Sequence, residues 1–154
     1  MAEMDEPRLD ASGRKFAMVV SRYNMSITTR LLESALDGLK RYGCNACDIE
    51  VTWVPGSFEL PIIAQKLAHT ERFDVVICLG AVIRSDTPHF DFVAAETARG
   101  ISRVGLETGV PITFGVLTTD NVDQAVERAG GRAGNRGWDA ALNAIEMANL
   151  IAEL

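Results

Sequence analysis

The segment Arg84-Ser85-Asp86-Thr87-Pro88-His89 puts a guanidinium, two hydroxyls, a carboxylate and one of the chain's two histidines directly behind an apolar run. Three further groups of this kind also follow apolar runs. They are Ser21-Arg22-Tyr23-Asn24, Pro55-Gly56-Ser57-Phe58-Glu59 and Thr118-Thr119-Asp120-Asn121. Thr87 has the side chain of a helix N-cap and Pro88 the fixed φ of a first helical position, which places His89 in a first helical turn. The positive end of a helix disfavours imidazolium, so an imidazole there suits proton relay. The free N–H groups of the same turn offer a cradle for an anion such as phosphate. The competing expectation is a solvated histidine in an ordinary capped turn, and that is the expectation for His69.

Tyr23 suits stacking on a flat ring as well as it suits closing a crossover. Glu59, two residues after Ser57, suits either ligation of hydroxyls or charge matching at a helix start. Arg128 and Arg136 lie away from the four groups and by themselves read as solvated side chains. Their guanidinium forks would fit phosphate if a neighbouring subunit carried them to the same rim. "GGRAGNRG" lacks the closing Lys-Ser/Thr of a P-loop. Cys44-Asn-Ala-Cys47 matches C-x-x-C, but a redox pair belongs after a strand at a helix start, and this one precedes a strand. A structural zinc would need two more ligands, with only Cys78 and two distant histidines to draw on. The cysteines are therefore expected to be structural.

The elements that must position these groups alternate strictly. "FAMVVS" reads as a strand, and "SITTRLLESALDGLKRYG" as a helix with Ile27, Leu31, Leu32, Ala35, Leu36 and Leu39 at helical spacing. "DIEVTWV" is a second strand, followed by a helix starting near Ser57. "DVVICLGAVI" is apolar at nearly every position, as a strand covered on both faces must be. A helix over 88–108, the strand "ITFGVLTT", a short helix "VDQAVERAG", a loop "GRAGNRG" and a helix over 138–154 complete the chain. Such alternation implies right-handed crossovers and a three-layer α/β/α sandwich around a four-stranded parallel sheet. Ligands of such sheets bind beyond the carboxyl ends of the strands, where all four groups converge. In the last helix Asn143, Glu146, Asn149 and Glu153 form one polar stripe and nearly all else is apolar. That surplus points to a subunit contact.

The 154 residues fit one domain over 15–154 behind a polar tail over 1–14. With 47% apolar residues, disorder is not expected. A formal charge of -6 and a pI near 4.9 argue against a nucleic-acid partner or a polybasic membrane patch. No stretch approaches the ~20 apolar residues of a membrane helix. The first residues lack the apolar core of a signal peptide, so a cytoplasmic location is expected.

"VPGSFELP", "GAVIRSDTPHFDF", "ITFGVLTTDNVDQAVERAG" and "AGNRGWDAALNAIEMANL" resemble the lumazine synthases, from about Leu9 to the end of the chain. The resemblance implies a flavodoxin-like fold and a cofactor-free transferase of riboflavin biosynthesis. That enzyme condenses 5-amino-6-(D-ribitylamino)uracil with 3,4-dihydroxy-2-butanone 4-phosphate, releasing phosphate, to 6,7-dimethyl-8-ribityllumazine. Position by position it implies that Tyr23 stacks on the pyrimidine, while Gly56, Ser57, Phe58 and Glu59 hold the ring and ribityl chain. Ala81, Val82 and Ile83 line the ring edge, Asp86 and Thr87 form the phosphate-side turn, and His89 transfers protons. Phe114 and Arg128 come from the adjacent subunit, and Arg136 and Asp139 stand for a lysine-carboxylate pair. The partners implied are copies of the same chain, as a homopentamer and in some members a sixty-subunit icosahedral shell, and riboflavin synthase; no metal is implied.

Four positions depart from the family pattern. Tyr23 replaces phenylalanine or tryptophan, which stacking tolerates. Ser85 replaces a glycine, and would strain the turn if that place required φ > 0. Arg136 and Asp139 replace lysine and glutamate, a longer cation against a shorter anion. Ser85 and Arg136 are the features that would favour a non-catalytic flavin- or lumazine-binding shell protein. A flavodoxin-like electron carrier lacks its phosphate loop here, and a receiver domain its acidic cluster.

Overall fold

The computed structural model describes Glu3 and residues 6–154; part of the expected tail, residues 1, 2, 4 and 5, lies outside the described residues. Strands β1 (Phe16–Ser21), β2 (Ile49–Val54), β3 (Val75–Ile83) and β4 (Ile112–Thr119) form one parallel sheet in the order β2-β1-β3-β4. Period-two alternation splits β1 and β3 between two cores. Phe16, Met18, Val20, Ile77 and Leu79 meet helices α1 (Met25–Arg41) and α5 (Arg136–Glu153) on one face. Ala17, Val19, Val76 and Cys78 meet α2 (Leu60–His69) and α3 (His89–Thr108) on the other. The three-layer sandwich expected from the alternation is the observed architecture. Because β2 and β3 flank β1, the chain reverses its direction of travel across the sheet there. The crevice between the ends of β1 and β3 is thus the sheet's switch point.

Four details differ from expectation. Helix α3 is capped by Pro88 (φ -71°, ψ 4°), and Thr87 makes no capping hydrogen bond. The helix begins one residue later than a Thr87 cap requires, and His89 becomes its first residue. The second helix opens as a 3₁₀ turn, Ser57–Glu59, before α2. After α4 (Val122–Arg128) the expected loop holds a small antiparallel hairpin, β5 (Ala129–Gly131) with β6 (Gly134–Asn135). Gly130 and Gly134 make it possible by adopting φ 108° and 81°. Helix α5 then starts two residues early, because the Asn135 side chain accepts from the N–H groups of Gly137 (2.8 Å) and Trp138 (3.2 Å).

Asn149 does not share the surroundings of its polar neighbours on α5. It is 3% exposed, donates to the carbonyls of Arg8 (2.8 Å) and Asp10 (3.0 Å), and accepts from Arg14 Nε (3.0 Å). The segment leading into β1 is thereby strapped to α5. Met147 and Ile151 of the same helix remain exposed, as does Leu154 just after it. Cys44 and Cys78 are buried and Cys47 is exposed, all as free thiols ahead of or within strands. Burial pushes Cys44 up to about 11 and Cys78 up to about 12. Among the described residues no helix is long and apolar enough to cross a membrane, and no three metal-ligating side chains gather.

Candidate active site

The exit of β1 is tied down at both ends. Arg22 N and Tyr23 N donate to the carbonyls of Val54 (2.8 Å) and Pro55 (2.9 Å) beside β2. Asn24 turns the chain into α1 in the left-handed region (φ 61°), which asparagine tolerates better than most residues. Its Nδ2 donates to the Ala81 carbonyl at 3.0 Å, locking the β1 exit to β3. The turn leaves Tyr23 66% exposed, with its ring over Gly56. A Cβ at position 56 would come within 2.7 Å of Tyr23 Cδ2 and 3.4 Å of Glu59 Oε2, so glycine is what lets ring and carboxylate approach the same backbone.

Below them, the Ser57 and Ser21 hydroxyls are buried without a hydrogen-bond partner among the described residues. Both converge on Gly80, where an added Cβ would lie 2.5 Å from Ser57 Oγ and 3.2 Å from Ser21 Oγ. From the far side α3 presents His89, Phe92, Val93 and Glu96, the i, i+3, i+4, i+7 face of a helix.

These residues enclose a cleft of about 410 Å³ lined by Tyr23, Gly56, Ser57, Phe58, Glu59 and His89 together with that α3 face. A contiguous recess of about 140 Å³ shares Tyr23, Ser57 and His89 and adds Asn24, Ala81, Val82, Ile83 and Ser85. Three separate strand exits therefore meet at one site of a size suited to a small molecule. A larger groove of about 740 Å³ lies at the opposite end of the sheet, around Lys15, Glu50, Arg72 and Asp74. It contains none of the candidate residues, and one of its two cations is paired, Arg72 Nη1 lying 3.0 Å from Glu50 Oε2.

Other expected site residues lie apart. Asp86 and Thr87 are exposed on the turn beside His89 and line neither recess. Phe114 is 47% exposed on the edge strand β4. Arg128 ends α4, with Nη1 donating to the Gln124 carbonyl at 3.0 Å. Arg136 and Asp139 pair with each other at 3.6 Å in the first turn of α5. The shorter carboxylate thus still meets the longer cation. Ser85 has no positive φ, so the strain considered for it does not arise.

Asn24, Phe92, Val93 and Glu96 were given no role by the sequence, although the spacing of the last three from His89 was readable as one helical face. The contacts of Arg84 were likewise not readable from the sequence. Its backbone N–H donates to the Thr119 carbonyl (2.9 Å), and its side chain donates to Asp120 (3.2 Å) and Asp91 (3.1 Å).

Fold and cleft define a doubly wound α/β protein with a cleft of small-molecule size at the switch point of its sheet. A family model described as 6,7-dimethyl-8-ribityllumazine synthase matches residues 13–152. The chain belongs to the 6,7-dimethyl-8-ribityllumazine synthase family. The protein of that name from Syntrophus aciditrophicus (strain SB) is 57% identical over 154 residues, covering 100% of both chains. The one from Clostridium kluyveri is 55% identical over 149 residues, 97% of each chain.

Proposed function

We propose that this cleft is where the chain, a transferase of riboflavin biosynthesis, condenses 5-amino-6-(D-ribitylamino)uracil with 3,4-dihydroxy-2-butanone 4-phosphate. The observation that carries the proposal is the shared cleft of Tyr23, Ser57, Glu59 and His89, delivered by three different strand exits. The amino group forms an imine with the ketone and releases water. Loss of the proton from the carbinol carbon expels phosphate and leaves an enol, which takes a proton on its terminal carbon to become a ketone. Attack of the ribityl-bearing nitrogen on that new carbonyl closes the ring with loss of a second water. Every step moves protons, and none changes the overall oxidation level.

Tyr23 stacks on the pyrimidine, held flat by Gly56. Glu59 accepts hydroxyl hydrogens of the ribityl chain beside Ser57 and Phe58, and the backbone of Ala81, Val82 and Ile83 borders the ring. His89 takes and returns the protons, a role typically worth about 10²–10⁴-fold. Alignment of the two bound substrates contributes more, about 7–11 kcal/mol. The turn that carries Asp86 and Thr87 borders the phosphate, with the Thr87 hydroxyl and backbone N–H groups as its donors.

Phe114, Arg128 and the Arg136–Asp139 pair reach the cleft from an adjacent protomer. The donating surface on β4 and α4 differs from the receiving cleft, so the contact is head-to-tail and closes as a ring. A homopentamer is the ring proposed, supported by the apolar residues left uncovered on α5. The short β5–β6 hairpin leaves a sixty-subunit icosahedral shell open to it, a question for electron microscopy. A cytoplasmic location and contact with riboflavin synthase complete the proposal. Purified protein given both substrates should release lumazine and phosphate in equal amounts. Bound flavin without turnover would instead mark a non-catalytic shell.

A further inference from the structure

Ser85, Asp86 and Thr87 make no hydrogen bond to any described residue, yet they form the turn that leads into His89, the turn proposed above to border the phosphate. What brackets them is Arg84. Its Nε donates to Asp120 Oδ1 at 3.2 Å, just beyond β4, and its Nη1 to Asp91 Oδ1 at 3.1 Å, in the first turn of α3. Its Cζ lies 4.3 Å from the centroid of Phe90, a buried ring that borders the smaller recess. One planar group therefore joins the end of β3, the end of β4 and the start of α3 across the gap that residues 85–88 span. It also sets one positive charge against Asp91 and Asp120, two carboxylates close to where an anion must enter.

We propose that Arg84 is a positioning residue for the reaction: clamped between Asp91 and Asp120 over Phe90, it holds the 85–88 turn and His89 in register with the cleft and screens the two carboxylates from the incoming phosphate. The inference rests on the proposed function of the cleft. Each ion pair is exposed and on its own contributes little to folding, so the clamp's effect falls on geometry and local charge. Lysine cannot replace it. A single ammonium has no fork to reach two carboxylates on different elements and no plane to lie on Phe90.

Steady-state kinetics of Arg84→Gln, Arg84→Lys and the triple variant Arg84→Gln/Asp91→Asn/Asp120→Asn, with each substrate varied in turn, test the inference. For Arg84→Gln the expected result is a kcat lowered about tenfold, in line with a misplaced proton-transfer group. The KM for the phosphate substrate should rise several-fold, that for the pyrimidine should hold, and the melting temperature should be nearly unchanged. Arg84→Lys should recover the KM but not kcat. The triple variant should likewise recover KM alone, because it removes the exposed carboxylate charge without restoring the brace. Wild-type kinetics in Arg84→Gln, or loss that affects both substrates equally and tracks a fall in melting temperature, would overturn the assignment. Absence of lumazine from the wild-type protein would instead overturn the reading of the cleft on which it rests.

Discussion

The ring of Tyr23 lies so close to Gly56 that a single methyl group there would come within 2.7 Å of its Cδ2 atom. Gly56→Ala must therefore rotate the ring away, and the open side of a largely exposed tyrosine gives it room to go. The expected outcome is a KM for the pyrimidine raised about tenfold, the loss of about 1.4 kcal/mol of stacking. The KM for the phosphate substrate and the melting temperature should stay nearly constant. Steady-state kinetics with each substrate varied separately check it.

His89 and Arg128 are assigned different work, so their losses should look different. His89→Ala should lower kcat about 10²-fold while leaving both KM values within a few-fold. Arg128→Ala should raise the KM for the phosphate substrate and leave that for the pyrimidine alone. Abolished turnover in the first variant together with unchanged phosphate affinity in the second would contradict both roles.

Stability rests partly on the contact between α1 and α5. A Cβ at Gly137 would collide with the Leu31 carbonyl, a backbone atom that cannot rotate aside. Glycine-to-alanine changes inside helices normally stabilise by roughly 1 kcal/mol. Overpacking of this kind costs about 1–3 kcal/mol and here acts on backbone. The clash should win, and urea unfolding of Gly137→Ala should show a clear net destabilisation.

Buried thiols give the fold an alkaline limit. Cys78 is held at about 12 and Cys44 at about 11 by burial, against an ordinary value of 9.0. Between pH 9 and these values the unfolded chain releases thiol protons that the folded chain retains. Stability is therefore complete below pH 9 and falls as pH rises through that window. Urea midpoints measured from pH 8 to 11 should decline, and Cys78→Ala should decline less steeply from a lower starting point. At pH 8 a thiol reagent should modify one cysteine, Cys47, in the native protein and three after unfolding.

Much of the architecture was legible because each strand and helix announces its period. The unbroken apolar run of β3 and the helical spacing in α1 left little choice. Rim residues were legible for the same reason, since strand ends fix where their neighbours must point. Asn149 was not, because a buried asparagine satisfied by the carbonyls of Arg8 and Asp10 looks, along the chain, like any polar residue of a helix stripe. The β5–β6 hairpin escaped because its strands are glycine-rich and too short to alternate. Thr87 misled because it is a good capping residue that the helix bypasses by one position. The Arg84 brace joins residues up to thirty-six positions apart, and no local pattern encodes that.

The central claim is that the cleft of one protomer is completed by Arg128 of the next. Mixing His89→Ala and Arg128→Ala chains, unfolding them together and reassembling them tests it most directly, assayed at a phosphate-substrate concentration far below the wild-type KM. Randomly mixed head-to-tail rings should place an intact His89 beside an intact Arg128 at about a quarter of the clefts, and lumazine formation should return to about a quarter of the wild-type rate. Mixed rings of native size that show only the average of the two variants' activities would contradict the account.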